Sequence, residues 1–387
     1  MAMVNNKRRK PIMKKTILFM AFIFSVAGTG FASEALNPTC DGTPQYGKQV
    51  MESYRKLQFK TSVYESVPET GQGIRLGIYQ AQGACGEGAG PKNMLRLEKA
   101  VEQAKALGVQ LLSFPELYVP GYTLSPETAK KAAEYKNGPS ITKGCSIARK
   151  HHMALLLPYA EKEDQTDGSI RYYDSIAVIN EKGMLLDSYR KTHLYGQQER
   201  DNWSFGSGDY KVHLIFGFPV GVLNCYECEF PELSRILALK GAKLIVGPTA
   251  ADNYYTMTNG QRSHLPYPDI SKILIPAYAY ANNLFFAYSN RTGYEHRGKD
   301  QWHYRGNSIV CGPHGDIIVA ANHEQDTLLV ADCVPTYYGH THPEPAYHYL
   351  KDRRPDSYRE LVAPEVNFMK GGYLYPHYKD GKEIFIK

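Results

Sequence analysis

The sequence predicts an α/β fold. Short apolar strands and amphipathic helices alternate from residue 74 to about residue 334, Gly, Pro and Asn punctuate them, and 43% hydrophobic content over 387 residues suits a packed core. A chain of this size reads as one large domain with extensions, and its 30 tyrosines point to a globule rather than a disordered or fibrous protein.

In chain order, Lys7, Arg8, Arg9, Lys10, Lys14 and Lys15 precede an apolar run from Ile17 to Ala27 and the small-x-small triplet Gly30-Phe31-Ala32. This is the layout of a secretory signal peptide over residues 1–32, and it predicts cleavage near Ala32 and export to the periplasm or beyond. The run is too short to span a bilayer, which leaves an uncleaved interfacial anchor as the other reading. Met13 is a second candidate start, and the residues after Arg8-Arg9 fit a twin-arginine signal poorly. Those six basic residues account for the formal charge of +6, since the other 39 Lys and Arg balance 39 Asp and Glu. A near-neutral mature chain argues against nucleic acid or a membrane surface as its main partner and favours a small molecule. Seven cysteines remain after the leader, an odd number, so at least one thiol stays unpaired in an oxidising compartment.

Residues 33–72 are polar and read as an N-terminal extension. The domain proper, residues 73–334, opens with a strand over Ile74–Tyr79. Asn93 is placed to cap a helix whose apolar face is Leu97, Val101, Ala104 and Leu107, stopped by Gly108. Val109–Phe114 is the next strand, Ser125-Pro126 opens a second helix, Pro139–Lys150 is a third, and Met153–Tyr159 is a strand. Tyr172–Ile179 and Met184–Tyr189 flank Asn180–Gly183 as a hairpin. Val220–Asn224 and Leu244–Val246 are buried strands around a helix over Glu232–Leu239. Ile270–Asn282 reads as helix despite Pro276, and strands follow at Leu284–Ser289, Ser308–Cys311, Ile317–Ala320 and Thr327–Val334. The Tyr- and Pro-rich remainder, 335–387, is a C-terminal extension suited to packing on the domain or on a partner subunit.

Three polar residues stand where apolar strands end. Glu116 follows Leu111–Pro115, Lys191 follows Leu186–Arg190, and Cys225 follows Val220–Asn224 before a turn into a helix. Strand ends are where α/β proteins gather reactive side chains. An amide carbonyl is a poor electrophile, so cleaving it takes a strong nucleophile, a proton shuttle and a cationic or hydrogen-bonding partner for the oxyanion. A thiol, a carboxylate and an ammonium supply these. Cys225 would attack, Glu116 would act as general base and then acid, and Lys191 with the backbone N–H of Tyr226 would hold the oxyanion.

Phe114-Pro115-Glu116, Tyr189–Leu194 and Cys225–Glu232, in that order, resemble the Glu, Lys and Cys motifs of the nitrilase (carbon–nitrogen hydrolase) superfamily, with Cys-Tyr-Glu and Lys-Thr-His-Leu nearer its amidase branch. The resemblance covers roughly residues 73–334. It implies a four-layer αββα sandwich, no cofactor and no metal, and a homodimer or larger homo-oligomer. It also implies a supporting role for Glu161 in steadying the lysine and substrate. Glu199, Phe205 and Gly208 resemble the stretch after the lysine motif, and Asn290-Arg291 a structural turn behind the site. The extensions depart from the family pattern. A nitrilase or an N-carbamoyl amide hydrolase would use the same trio, and a catalytically idle binding protein is the reading from another class.

Taken singly, each residue has a plainer reading: Glu116 as a capping carboxylate, Lys191 as a solvated charge, Cys225 as a small core residue, Glu161 as a surface acid. Only the ordered set points to chemistry. Cys225-Tyr-Glu-Cys228 is formally a Cys-x-x-Cys, but no second such pair completes a zinc site, and a thioredoxin-like chain is shorter. Cys225 is therefore expected to stay a free thiol while Cys228 points into the core. His193 has no papain-like surroundings for Cys225, and the 13 histidines show no ligand spacing such as HExxH.

Overall fold

The computed structural model describes residues 57–256, 262–339 and 346–363, together with the backbone of 376–379 and 382–385. The leader over residues 1–32, the first part of the N-terminal extension and much of the C-terminal one lie outside the described residues.

Two mixed sheets carry the fold. The first runs, in spatial order, Gln58–Ser62, Thr327–Cys333, Ile74–Gln80, Leu111–Ser113, Ala154–Asp164, Ile170–Ile179 and Leu185–Arg190; the second runs Ile317–Ala320, Ile309–Cys311, Phe285–Asn290, Leu244–Thr249, Phe218–Val222 and Val212–Ile215. Strict alternation along the first sheet decides the layering. Ile74, Leu76, Ile78, Leu111, Leu156, Ile176 and Val178 share one core with Val220, Val222, Leu244 and Phe286 of the second sheet. Their neighbours Leu112, Leu155, Leu157, Ala177 and Ile179 instead pack with Leu97, Val101, Ile141 and Ile147 of helices Ala89–Ala106 and Pro139–His151. Helices Pro231–Leu239 and Ile270–Asn282 add Leu233, Leu237, Ile275 and Ala279 to the core of the second sheet. The result is the expected αββα order.

Close approach of helix and sheet depends on Gly144, where an added Cβ would meet Leu157 at 2.9 Å. The Asn180–Gly183 turn forms as read, with Gly183 N–H donating to the Asn180 carbonyl at 2.9 Å. Asn93 differs from expectation. The helix starts at Ala89 and carries Asn93 in its first turns, buried, where its side chain bonds Ala84, Tyr118 and Val119 backbone groups instead of capping. Gln58–Ser62 extends the first sheet at its edge, parallel to Thr327–Cys333. At the other extension Tyr338 packs edge-on to Phe285, and Tyr349 on Tyr280. Among the described residues no helix is long and apolar enough to cross a membrane.

Candidate active site

The first sheet delivers Glu116 and Lys191 and the second delivers Cys225, all at the ends where their strands stop. After Leu111–Ser113 the chain turns sharply through Leu117, which has φ +46° in the left-handed region. Arg291, fully buried, braces that turn by donating to the carbonyls of Glu116 at 2.8 Å and Leu117 at 3.1 Å. Its own charge is met by Glu295, which also accepts from the Tyr122 and Thr123 amides and the Tyr304 hydroxyl. The Asn290-Arg291 turn is structural, as read.

Lys191 is buried, and its Nζ donates to Glu116 Oε1 at 2.5 Å and to Glu199 Oε1 at 2.8 Å, with Asp174 Oδ2 at 3.7 Å. Removal from water works against the ammonium, but Glu116 and then Glu199 outweigh it and hold the group well above its ordinary range. Glu199 sits on the short helix Gly196–Asn202 and is fixed by the Tyr122 hydroxyl at 2.6 Å and the Tyr195 amide at 2.7 Å.

Cys225 begins a 3-10 turn, Cys225–Glu229, with φ +51°. Glu227 ties this turn to the lysine loop: its carboxylate accepts from the Asn224 amide at 2.8 Å, the Thr192 amide at 2.7 Å and the Tyr189 hydroxyl at 2.6 Å. Burial raises the Cys225 thiol well above its usual range, Glu116 adds to that, and Lys191 opposes both. The group at rest is therefore a thiol. Cys225 and Cys228 are both free, and Cys228 is fully buried against Gly247, where an added Cβ would lie 2.3 Å from its sulfur. The Cys-x-x-Cys spacing joins nothing.

Three buried carboxyls, Glu116, Asp174 and Glu199, place oxygens within 4.8 Å of one another around one ammonium, which occupies the position a cation would take. Glu116 Oε2 and Asp174 Oδ2 are buried without a partner. Burial and then Glu116 push the Asp174 carboxyl well up. The two partnerless oxygens thus belong to a raised carboxyl and to the Glu116 carboxyl that helps raise it.

The structure thus brings Glu116 and Lys191 into contact and sets Cys225 where both bias its thiol. Tyr226 follows Cys225 on the turn, its ring against Tyr195 and Phe230. Glu161 corrects the reading. It is buried but on the other side of the Leu185–Arg190 strand, where it takes Arg190 at 2.5 and 3.1 Å and Ser188 at 2.6 Å, not Lys191. It lines a hollow of about 700 Å³ with Tyr135, Lys136 and Glu163 that contains none of Glu116, Lys191 and Cys225. Glu199 holds the position expected of Glu161. Asp174 and Glu227 were missed, although a lone acid in the apolar stretch Tyr172–Ile179 is a signal for the first.

The carbon–nitrogen hydrolase profile matches residues 75–342. This chain belongs to that family, the nitrilase superfamily. The hydrolase is 32% identical over 288 residues to a protein described as a hydrolase in the pqqF 5′ region of Pseudomonas protegens, covering 74% of this chain and 92% of that one. It is 28% identical over 289 residues to the N-carbamoylputrescine amidase of Arabidopsis thaliana, covering 71% and 91%. Among solved structures it resembles a point mutant of the amidase from Nesterenkonia sp. AN1, seen with the acetamide moiety of fluoroacetamide added covalently at the active site cysteine. There the TM-score is 0.58 at 26% identity, over 77% of this chain and 100% of that one.

Proposed function

We propose that this hydrolase cleaves a carboxamide to a carboxylate and ammonia through a thioester on Cys225, with Glu116 as general base and acid and Lys191 as oxyanion partner. The observation that carries the reading is the buried Lys191–Glu116 contact at 2.5 Å beside a thiol that both groups bias. Because the resting sulfur keeps its proton, Glu116 removes it as the C–S bond forms, and no standing thiolate is needed. The developing oxyanion meets the Lys191 ammonium and the Tyr226 amide. Glu116 returns the proton to the departing nitrogen as the C–N bond breaks. A water molecule, losing its proton to Glu116, then attacks the thioester, and that proton goes back to the sulfur as acid is released. Asp174, holding its own proton against Glu116, keeps that carboxylate oriented.

The same trio would serve an N-carbamoyl amine, or a nitrile by way of a thioimidate that takes up water before ammonia leaves, so the substrate is settled by assay. Ammonia release from a panel of amides, nitriles and carbamoyl compounds, with hydroxylamine added to intercept the acyl group as hydroxamate, tests the mechanism. Substrate consumed with no hydroxamate would show direct attack by water, and no turnover of any member by folded protein would favour an idle binding protein. We propose further that the hydrolase acts after export; an intact leader on soluble periplasmic protein, read by mass spectrometry, would sink this.

A further inference from the structure

The buried carboxyls and Lys191 account for bond breaking, but not for the groups that border Cys225 on the side toward solvent. Cys225 is partly exposed, and so are Tyr195, Tyr226, Glu229, Asp252 and Tyr267, whereas Glu116, Asp174, Lys191 and Glu199 are buried. The tyrosine rings are in contact, with centroids 5.3 Å apart for Tyr195 and Tyr226 and 6.0 Å for Tyr195 and Tyr267. Both oxygens of Glu229 lie 2.8 Å from the Tyr267 hydroxyl, and the Tyr278 hydroxyl donates to the Glu229 carbonyl at 2.9 Å. Cys225 acts electrostatically on the hydroxyls of both Tyr195 and Tyr267, so the tyrosines and the nucleophile share one space.

Among the described residues no Lys, Arg or His pairs with Glu229. Lys191 is the cation that reaches it, and Lys191 is already held by two carboxylates. His193, whose ring lies 4.4 Å from Phe230, is held below its usual range by burial, against Glu227 and Glu232. The entrance therefore combines aromatic faces with a carboxylate that has no counter-ion among the described residues.

We infer that this entrance is a cation-binding subsite, in which Glu229, Tyr195, Tyr226 and Tyr267 take an ammonium or guanidinium group at the far end of the amide substrate. The inference rests on the amide-hydrolysis reading of Cys225. Tyrosine faces attract such a group by their quadrupole, and a partly desolvated carboxylate adds a charge-assisted hydrogen bond. A carboxylate tail would instead meet Glu229, Asp252 and Glu199. Burial pushes Glu229 up to about 7, with Tyr267 opposing, and Tyr195, Tyr278, Tyr288, Cys228 and Lys191 are the other titratable groups around it. Its charge, and with it the preference for a cation, grows as pH rises from 6 to 8, while an alkylamine stays protonated.

The test uses the full mature chain and three amides of equal length: δ-aminovaleramide, hexanamide and the monoamide of adipic acid. At pH 8 the kcat/KM of the aminoamide should exceed that of hexanamide by about tenfold or more, with the acidic amide poorest, on the scale of a desolvated cation–π contact plus a charged hydrogen bond. The ratio should shrink at pH 6 and collapse toward one in Glu229→Gln. Equal use of the three amides, or a ratio untouched by Glu229→Gln, would overturn the subsite while leaving amide hydrolysis standing. Should no amide be cleaved, the functional reading fails separately, and the subsite is then read by protection. Pentylammonium, but not pentanoate or pentanol, should slow iodoacetamide labelling of Cys225 in the wild type and not in Glu229→Gln; labelling unaffected by all three would overturn it.

Discussion

Arg190 and Lys191 are consecutive, yet they serve two clusters on opposite faces of one strand. Arg190 meets Glu161 and Glu163, Lys136 is a second cation at 3.7 and 4.0 Å from them, and the oxygens of Glu161 are shared out between these cations and Ser188. Lys191 meets Glu116 and Glu199 with Asp174 close by, and two carboxyl oxygens of that group have no partner. The first cluster is charge-matched, paired in full and half-open to water; the second is buried, carries more carboxyls than cations, and leaves acceptors open. A saturated ion pair holds a strand in place. An unsaturated one keeps capacity to move a proton, and that difference, rather than burial or charge, is what supports placing the proposed chemistry there.

The largest expected effect is on the unsaturated side. Cys225→Ala and Glu116→Gln should each lower kcat by about three orders of magnitude or more, since members of one catalytic unit act together. Ordinary ammonia release by either would undo the contrast. Next, Lys191→Ala should abolish activity and also leave three buried carboxyls without a cation, costing about 3–5 kcal/mol of stability by analogy with broken buried pairs. Arg190→Ala should weaken the fold by less, because water reaches its cluster, and should retain activity within about tenfold. Paired denaturation and rate measurements decide this, and equal loss of rate in both variants would erase the distinction drawn here.

Gly247→Ala puts a methyl 2.3 Å from the Cys228 sulfur and should cost about 1–3 kcal/mol as an overpacked core. Cys228→Ser, by comparison, should keep most activity. The smallest effect belongs to Asp174→Asn. A neutral amide reproduces a protonated acid, so turnover should stay within about tenfold, where a required anion would make it collapse. Its pH dependence has a definite sign. A carboxyl raised in the folded state binds its proton more tightly there than in the unfolded chain, so it destabilises the wild type as pH rises above the unfolded value of about 3.9. Asp174→Asn removes that penalty, and its melting temperature should gain on the wild type at pH 8 but not at pH 4.

The layers of the fold were legible because alternation along Ile74–Gln80 and Ile170–Ile179 is a local property that sheet packing preserves. Glu116, Lys191 and Cys225 were legible for a related reason: each interrupts an apolar strand at its end. Glu161 was misplaced because residues one apart on a strand face opposite ways, and nothing local tells whether a strand-end acid will meet Arg190 or Lys191. Glu199 lies on a seven-residue helix too short for its periodicity to stand out. Asn93 has a capping side chain, but tertiary partners from Tyr118 and Val119 override that local preference.

The edge strand Gln58–Ser62 has a consequence for how the chain acquires its shape. It pairs with Thr327–Cys333, and so does Ile74–Gln80, so the earliest described strands of the sequence lean on the last strand of the first sheet. A chain that emerges from its N-terminus holds these early segments without their neighbour until nearly the whole domain has followed. Closure of the loop between them is a late and entropically expensive event, which makes the protein a slow folder whose first sheet is completed last.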